Sequence, residues 1–98
     1  MTLLLTRRET DEGLLVSVCD ADVLGESFEN GAVSLTVEEE FYDGEEASED
    51  EVVDSLARCT TANLVGTEAV GLAVEHGFVD EENVLDLEGT RHAQLLWM

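Results

Sequence analysis

The sequence has no lysine, no proline, two cysteines and five aromatic residues, and each shortage argues against a class of protein. Cys19 and Cys59 form no Cys-x-x-Cys pair, which disfavours a zinc ribbon or a disulfide framework, so we expect two buried thiols. No apolar run approaches the roughly 20 residues of a membrane span. The short apolar start, Met1–Leu5, is interrupted by Arg7 and Arg8. We therefore predict no signal peptide and a cytoplasmic protein.

The charge that is present is almost all of one sign. The chain carries 24 acidic residues against four arginines, for a net charge of -20, yet 44% of its residues are hydrophobic. That apolar fraction is too high for a disordered protein. At 1 M salt the Debye length is about 3 Å, so surface carboxylates hardly repel one another. We predict a protein of the cytoplasm of a salt-accumulating archaeon; the alternative is an ordinary acidic protein, such as a nucleic-acid mimic.

The same charge bears on partners. At ordinary ionic strength it opposes binding to RNA or DNA, because that binding depends on cations that displace counterions from phosphates. In molar salt this contribution is weak for every protein, so the acidity does not argue against RNA. We expect no membrane partner, no DNA partner, no cofactor and no metal. The oligomeric state is not indicated.

The length predicts one domain over residues 1–98, and its first third is predicted to form strands. Leu3–Glu9 and Leu14–Asp20 flank a polar turn with glycine and predict an antiparallel hairpin. Asp20 is predicted to cap a short helical turn over Ala21–Leu24. Alternation of apolar and polar residues over Ala32–Val37 predicts a third strand.

An acidic loop is predicted over about residues 38–50, with nine acidic residues in the fourteen from Glu38 to Glu51. It lacks the spacing of an EF-hand, so we expect a solvated loop anchored on the core by Phe41 and Tyr42. Ser48 and Glu51 then form a capping box that begins a helix of about residues 49–59.

The last third predicts a second helix and a second hairpin. The helix has Thr67 as its N-cap, consists mainly of small and apolar residues, and ends at Gly77. Val84–Leu87 and His92–Trp97 are predicted to form the hairpin. The predicted order β-β-β-α-α-β-β is an α+β fold, a mostly antiparallel sheet with two helices packed on one face.

The motifs of common enzymes are absent: there is no Gly-x-Ser-x-Gly, no His-Glu-x-x-His and no phosphate-binding loop. Three polar residues are not explained by adaptation to salt. Asn63 lies between apolar residues at a predicted helix junction, and His92 and Gln94 alternate on one face of the last strand beside Arg91. Their structural interpretation is a cap or a satisfied buried group; their functional interpretation is a hydrogen-bonding surface.

The chain also resembles an archaeal family of unknown function, DUF424. The resemblance extends over essentially the whole chain and is carried by the segments Val16-x-x-Cys19-Asp20-x-x-x-Leu24-Gly25, Phe28-x-x-Gly31, Glu40-Phe41-Tyr42-x-Gly44, Ala62-Asn63-Leu64-Val65-Gly66, Gly77-x-Val79-Asp80-x-x-Asn83-Val84 and Gly89-x-x-His92-Ala93-Gln94. It implies a small α+β domain without an established activity. Members of the family tend to be encoded among genes for translation and ribosome maturation. Its polar signature falls on Asn63, His92 and Gln94.

These observations lead to three functional hypotheses. The first is a non-enzymatic accessory protein of translation that binds RNA, the ribosome or a translation factor through Asn63, Arg91, His92 and Gln94. The second is a small enzyme acting on a nucleotide or RNA, with His92 as acid–base and Cys19 nearby. The third is a structural subunit with an exposed apolar patch at residues 95–97.

Overall fold

The computed structural model describes residues 2–31 and 33–96. A six-stranded sheet has the strand order β5-β1-β2-β6-β8-β7, and β3 and β4 form a separate two-stranded hairpin. The strands are β1 (Leu3–Thr10), β2 (Gly13–Asp20), β3 (Ser27–Asn30), β4 (Val33–Thr36), β5 (Glu45–Ala47), β6 (Thr61–Val65), β7 (Leu85–Leu87) and β8 (Thr90–Leu96). The helices are α1 (Glu39–Tyr42), α2 (Glu49–Arg58) and α3 (Thr67–Glu75), with short 3-10 turns at Ala21–Val23 and Glu81–Asn83.

The α+β class is confirmed. The sheet is antiparallel except for the pairing of β2 with β6, and helices α2 and α3 pack on one of its faces. The core between the helices and the sheet is mainly apolar, with Val18, Leu56 and Leu64 fully buried at its centre; the hydroxyl of Ser55 on α2 is buried as well. Within the described residues, no helix combines the length and the apolar composition needed to cross a membrane.

A second, smaller core lies on the opposite face of the sheet. There, the first 3-10 turn, the β3–β4 hairpin and α1 cover Leu4, Cys19 and Val65. Tyr42 is buried in this core, as predicted for an anchor of the acidic segment. This second layer covers only one end of the sheet, which leaves the remainder of that face accessible.

The largest difference from the sequence prediction is β6. The segment Ala62–Gly66 was predicted as a junction between helices, but its first four residues belong to a strand in the middle of the sheet. Its parallel pairing with β2 accounts for the error, because such a pairing requires a long crossover connection and has no local turn signal. Ser27–Asn30 is likewise a strand, and β5 is another that was not predicted.

The acidic segment was predicted as a loop, but part of it forms regular secondary structure. It contains α1 and β5, and β5 pairs with β1 at the edge of the sheet. The predicted capping box is confirmed: the Glu51 backbone N–H donates to Ser48 Oγ at 3.1 Å, and the Ser48 N–H donates to Glu51 Oε1 at 3.2 Å. Ala32, Trp97 and the side chain of Phe41 lie outside what the structure describes.

Asp20 caps a different helix from the one predicted. Its carboxylate makes no cap contact with the adjacent 3-10 turn. Instead, it accepts hydrogen bonds from the backbone N–H groups of Glu68 and Ala69, at 3.0 and 2.9 Å, in the first turn of α3. Thr67 is therefore the first helical residue and not the N-cap, which is Gly66. The remote carboxylate satisfies donors that a helix leaves unpaired at its start.

Candidate functional site

The site begins with the alternation of side chains along β6. Ala62 and Leu64 point into the core beneath the helices, whereas Thr61, Asn63 and Val65 point to the opposite face. Val65 is covered by the second core, but Asn63 is only half-buried. The uncovered part of the sheet therefore begins between these two residues.

Four polar side chains lie in a line on this face of the sheet; three are at least partly exposed, and the fourth, Ser17, is buried. The strand register places Thr6 opposite Ser17, Ser17 opposite Asn63, and Asn63 opposite Gln94. Residues directly opposite one another in a sheet share a face, so these four form one row across β1, β2, β6 and β8. We call Thr6, Ser17, Asn63 and Gln94 the polar row. At about 4.8 Å between strands, the row is roughly 14 Å long.

The exposed end of the polar row is preorganised by an amide–amide contact. Gln94 Nε2 donates to Asn63 Oδ1 at 2.9 Å. This bond leaves two groups available: Asn63 Nδ2, which can donate two protons, and Gln94 Oε1, which can accept. Within the described part of the chain, neither Asn63 Nδ2 nor Gln94 Oε1 has a partner. A donor and an acceptor therefore stand side by side in fixed positions, as recognition by short hydrogen bonds requires.

His92 lies on the same face as Gln94, one row further along, opposite Val65. Its Nδ1 is 3.0 Å from the Leu64 backbone oxygen. A carbonyl oxygen can only accept, so Nδ1 is the donor in this contact and Nε2 is the ring nitrogen left for a partner. His92 is half-buried, and it extends the hydrogen-bonding surface beyond the polar row.

Arg91 is not part of this group. Alternation turns it to the helix side of β8, where its guanidinium forms ion pairs with Asp86 and Glu81. The structure thus brings Asn63 and Gln94 into contact, places His92 beside them and separates Arg91 from all three. The sequence analysis grouped Arg91 with His92 because the two are neighbours in the chain. Neighbouring side chains of a strand point to opposite faces of the sheet, so the two do not share a surface.

The sequence analysis missed Thr6 and Ser17. The predicted hairpin already implied that these residues face each other, because its turn determines the register of β1 and β2. Ser17 is buried, and its neighbours in the chain are the core residues Val16 and Val18, which is an unusual position for a hydroxyl. Their relation to Asn63 was not visible, because it depends on the parallel pairing of β2 with β6.

Cys19 is not arranged as a nucleophile. It is completely buried, and burial, together with the negative charges of Asp20, Asp43 and Asp22, raises the pKa of its thiol to about 12. At neutral pH the reactive thiolate is therefore nearly absent. Cys19 and His92 lie in one row with Val65 between them, about 10 Å apart across two strand spacings.

Asp20 and Gly66 are in close contact at the C-terminal end of β6, next to the site. Gly66 has φ +118°, and a Cβ built on it would lie 2.3 Å from Asp20 Cγ. Burial is the largest influence on Asp20 and raises the pKa of its carboxyl, which the two helix N–H bonds partly counteract. The Gly66 N–H also donates to the Arg91 oxygen at 2.8 Å, which links β6, α3 and β8 beside His92.

Two further features of the described residues bear on the other hypotheses. Within the described residues, no group of three or more histidine, cysteine or acidic side chains is placed to hold a metal ion. Leu95 is buried in the main core, so it does not contribute to the exposed apolar patch predicted for a structural subunit. Leu96 is 64% exposed, and Trp97 lies outside the described residues.

Comparison with known proteins supports the resemblance stated above. Residues 7–98 match the family described as "Protein of unknown function (DUF424)". A solved structure of an uncharacterized conserved protein from Methanopyrus kandleri is similar over the whole chain, with 25% identity, a TM-score of 0.74 and coverage of 96% of its own chain. No curated protein shows significant similarity.

Proposed function

Since the chain belongs to the DUF424 family, we propose that it is a non-enzymatic accessory protein of archaeal translation or ribosome maturation. It binds its partner through short-range hydrogen bonds from the exposed end of the polar row, Asn63 and Gln94, and from His92. The observation that carries this proposal is the Gln94–Asn63 contact on an uncovered sheet face. A preformed and partly exposed pair of amides on a sheet face suits a binding module, whereas an enzyme needs an acid–base group in a concave site with a partner.

A translation-factor protein fits this surface better than RNA. Recognition of unpaired RNA relies on aromatic or arginine side chains that stack on bases. The polar row itself offers only hydroxyl and amide groups. The next row consists of Arg8, Leu15, Thr61 and the exposed Leu96, and the Arg8 guanidinium is engaged with the Glu40 carbonyl. Amides beside aliphatic side chains match the mixed character of a protein–protein interface.

The proposal is tested by affinity capture from a halophilic archaeal host in molar KCl. The informative variant is Asn63→Asp, because aspartate retains the oxygen that accepts from Gln94 but removes both Nδ2 protons. We expect the partner to be lost or strongly depleted on this variant. Asn83→Asp is the matched control: it makes the same chemical and charge change in the exposed 3-10 turn before β7 and should capture the partner as the wild type does.

Ribonuclease treatment separates the two partner classes. A translation factor that stays bound after treatment supports protein recognition through the polar row. A partner that disappears after treatment identifies RNA as the ligand. If Asn63→Asp and Asn83→Asp capture equal amounts, the polar row is not the binding surface and the proposal fails.

We further propose that the working environment is the cytoplasm of a salt-accumulating archaeon, on the basis of the net charge of -20. Self-repulsion should then unfold the chain as KCl is lowered from about 3 M to 0.1 M, because the Debye length grows from under 3 Å to about 10 Å. Circular dichroism at 222 nm follows the loss of helix directly. An unchanged signal and an unchanged urea midpoint over this range would show that the acidic composition is no salt adaptation.

A further inference from the structure

The outer edge of β8 is only partly paired. β7 pairs with Thr90, Arg91 and His92, whereas β8 continues to Leu96. No other described strand pairs with that side of residues 93–96. An unpaired stretch of strand edge is a template for a further strand, because its N–H and C=O groups still require partners.

The direction of these backbone groups follows from one hydrogen bond. The Arg91 carbonyl accepts from the Gly66 N–H, so the backbone groups of Arg91 face β6. Backbone groups alternate in direction along a strand, so those of Ala93 and Leu95 also face β6. The N–H and C=O groups of Gln94 and Leu96 therefore point outward from the sheet.

This edge lacks the protection found at the opposite side of the sheet. There, β5 pairs only with Leu3–Leu5, and the remainder of the β1 edge carries Arg7, Arg8 and Glu9. Arg8 also reaches the Glu40 carbonyl, with its Nη2 donating at 2.8 Å. Residues 93–96 contain no charged side chain, in a chain in which 29% of residues are charged. Charged side chains are the usual device that prevents edge-to-edge pairing.

We propose that the open edge of β8 accepts an extended, positively charged segment of another protein as a seventh strand of the sheet. The added strand bonds to the backbone groups of Gln94 and Leu96 and covers the exposed Leu96 side chain. This site is distinct from the proposed use of the polar row, because the edge is recognised through the backbone and the row through side chains.

Charge complementarity selects the occupant. The acidic turn Asp80–Glu82 immediately precedes β7, so it stands where the open edge begins; Glu81 pairs with Arg91, and Asp80 and Glu82 are the carboxylates that an incoming strand would meet. The whole chain carries -20. At contact distance, where even the roughly 3 Å Debye length of molar salt does not screen fully, a cationic residue at one end of the incoming strand would pair with these carboxylates. A second copy of the chain would place further carboxylates against them.

The edge is tested with the synthetic peptide acetyl-Lys-Thr-Val-Thr-Val-Thr-Lys-amide, at a KCl concentration where circular dichroism shows the protein folded. Its control carries N-methyl groups on the three central residues, which block strand pairing without changing charge. The protein variants are Leu96→Pro and Leu96→Thr. Both remove the leucine side chain, but only proline removes the outward N–H, and proline is tolerated where that N–H does not serve the sheet.

We expect the peptide to shift and protect the Gln94 and Leu96 amides in NMR spectra, while the Ala93 and Leu95 amides are protected already in the free protein. Leu96→Pro should weaken binding about tenfold or more relative to Leu96→Thr. The N-methylated peptide should not bind. The peptide experiment reports on the backbone edge alone, and the capture experiment with Asn63→Asp reports on the polar row alone, so failure of the polar-row proposal is distinguishable from failure at the edge.

Three results would overturn the proposal. The first is no perturbation of the two amides by millimolar peptide. The second is equal affinity of Leu96→Pro and Leu96→Thr. The third is a wild-type dimer in sedimentation that Leu96→Pro converts to monomer, because the edge would then be occupied by a second copy. Circular dichroism would show whether Leu96→Pro is unfolded. In that case the test is the comparison of the unmodified and the N-methylated peptide on the wild-type protein, and equal binding of the two would overturn the proposal.

Discussion

The two faces of β6 show how a strand of five residues serves both the core and a candidate site. On one face, Leu64 is fully buried under the helices. On the other, the neighbouring Asn63 is half-buried and bonds to the exposed Gln94. Whether a residue of this sheet is available for recognition therefore depends on whether its face is covered, and not on whether its strand is central or at the edge. Even the central strands of the sheet present a polar surface, because the second layer covers only one end.

The largest effect is expected on the covered face. Leu64→Ala removes a buried side chain and leaves a cavity between the sheet and the helices, so the free energy of unfolding should fall by about 2–5 kcal/mol. Urea denaturation at constant KCl measures this change, since urea does not alter ionic strength. A loss below about 1 kcal/mol would mean that the core around Leu64 is loosely packed and that the two faces do not differ as described.

An intermediate effect is expected at the end of β6. Gly66→Ala combines an unfavourable positive φ with a close approach to the Asp20 carboxylate, so it should cost about 1–3 kcal/mol. Gly77→Ala is the control, because Gly77 has φ +78° but nothing within 4 Å of an added Cβ. Urea midpoints should therefore rank wild type, Gly77→Ala and Gly66→Ala in decreasing order. Equal losses for the two variants would show that contact with Asp20 contributes nothing.

The smallest effect on stability is expected on the uncovered face. Asn63→Ala removes one partly exposed amide hydrogen bond, so the free energy of unfolding should change by less than about 1 kcal/mol. A double-mutant cycle with Gln94→Ala isolates the contact, and we expect a coupling of about 0.5 kcal/mol. A loss as large as that of Leu64→Ala would make the amide pair a structural element and would remove the contrast between the faces.

Much of the local structure was predictable from the sequence. The first hairpin, the capping box of α2, the apolar α3 and the burial of both cysteines follow from turn residues, cap residues and periodicity. These signals act over a few neighbouring residues. Asn63 and Gln94 were selected as polar residues in apolar surroundings, and the structure places them 2.9 Å apart, whereas Arg91 was grouped with them only because it is adjacent in sequence.

The sequence by itself determined the α+β class and a surface of one charge sign, because composition and hydrophobic period act independently of the chain's path. Only the tertiary structure decided that β6 runs parallel to β2, that Thr6 and Ser17 extend the line of Asn63 and Gln94, and that Asp20 caps α3. Each of these contacts joins residues distant in sequence, and their energy depends on packing after the chain has closed the intervening loops. The local sequence pattern therefore does not predict which distant segments come into contact.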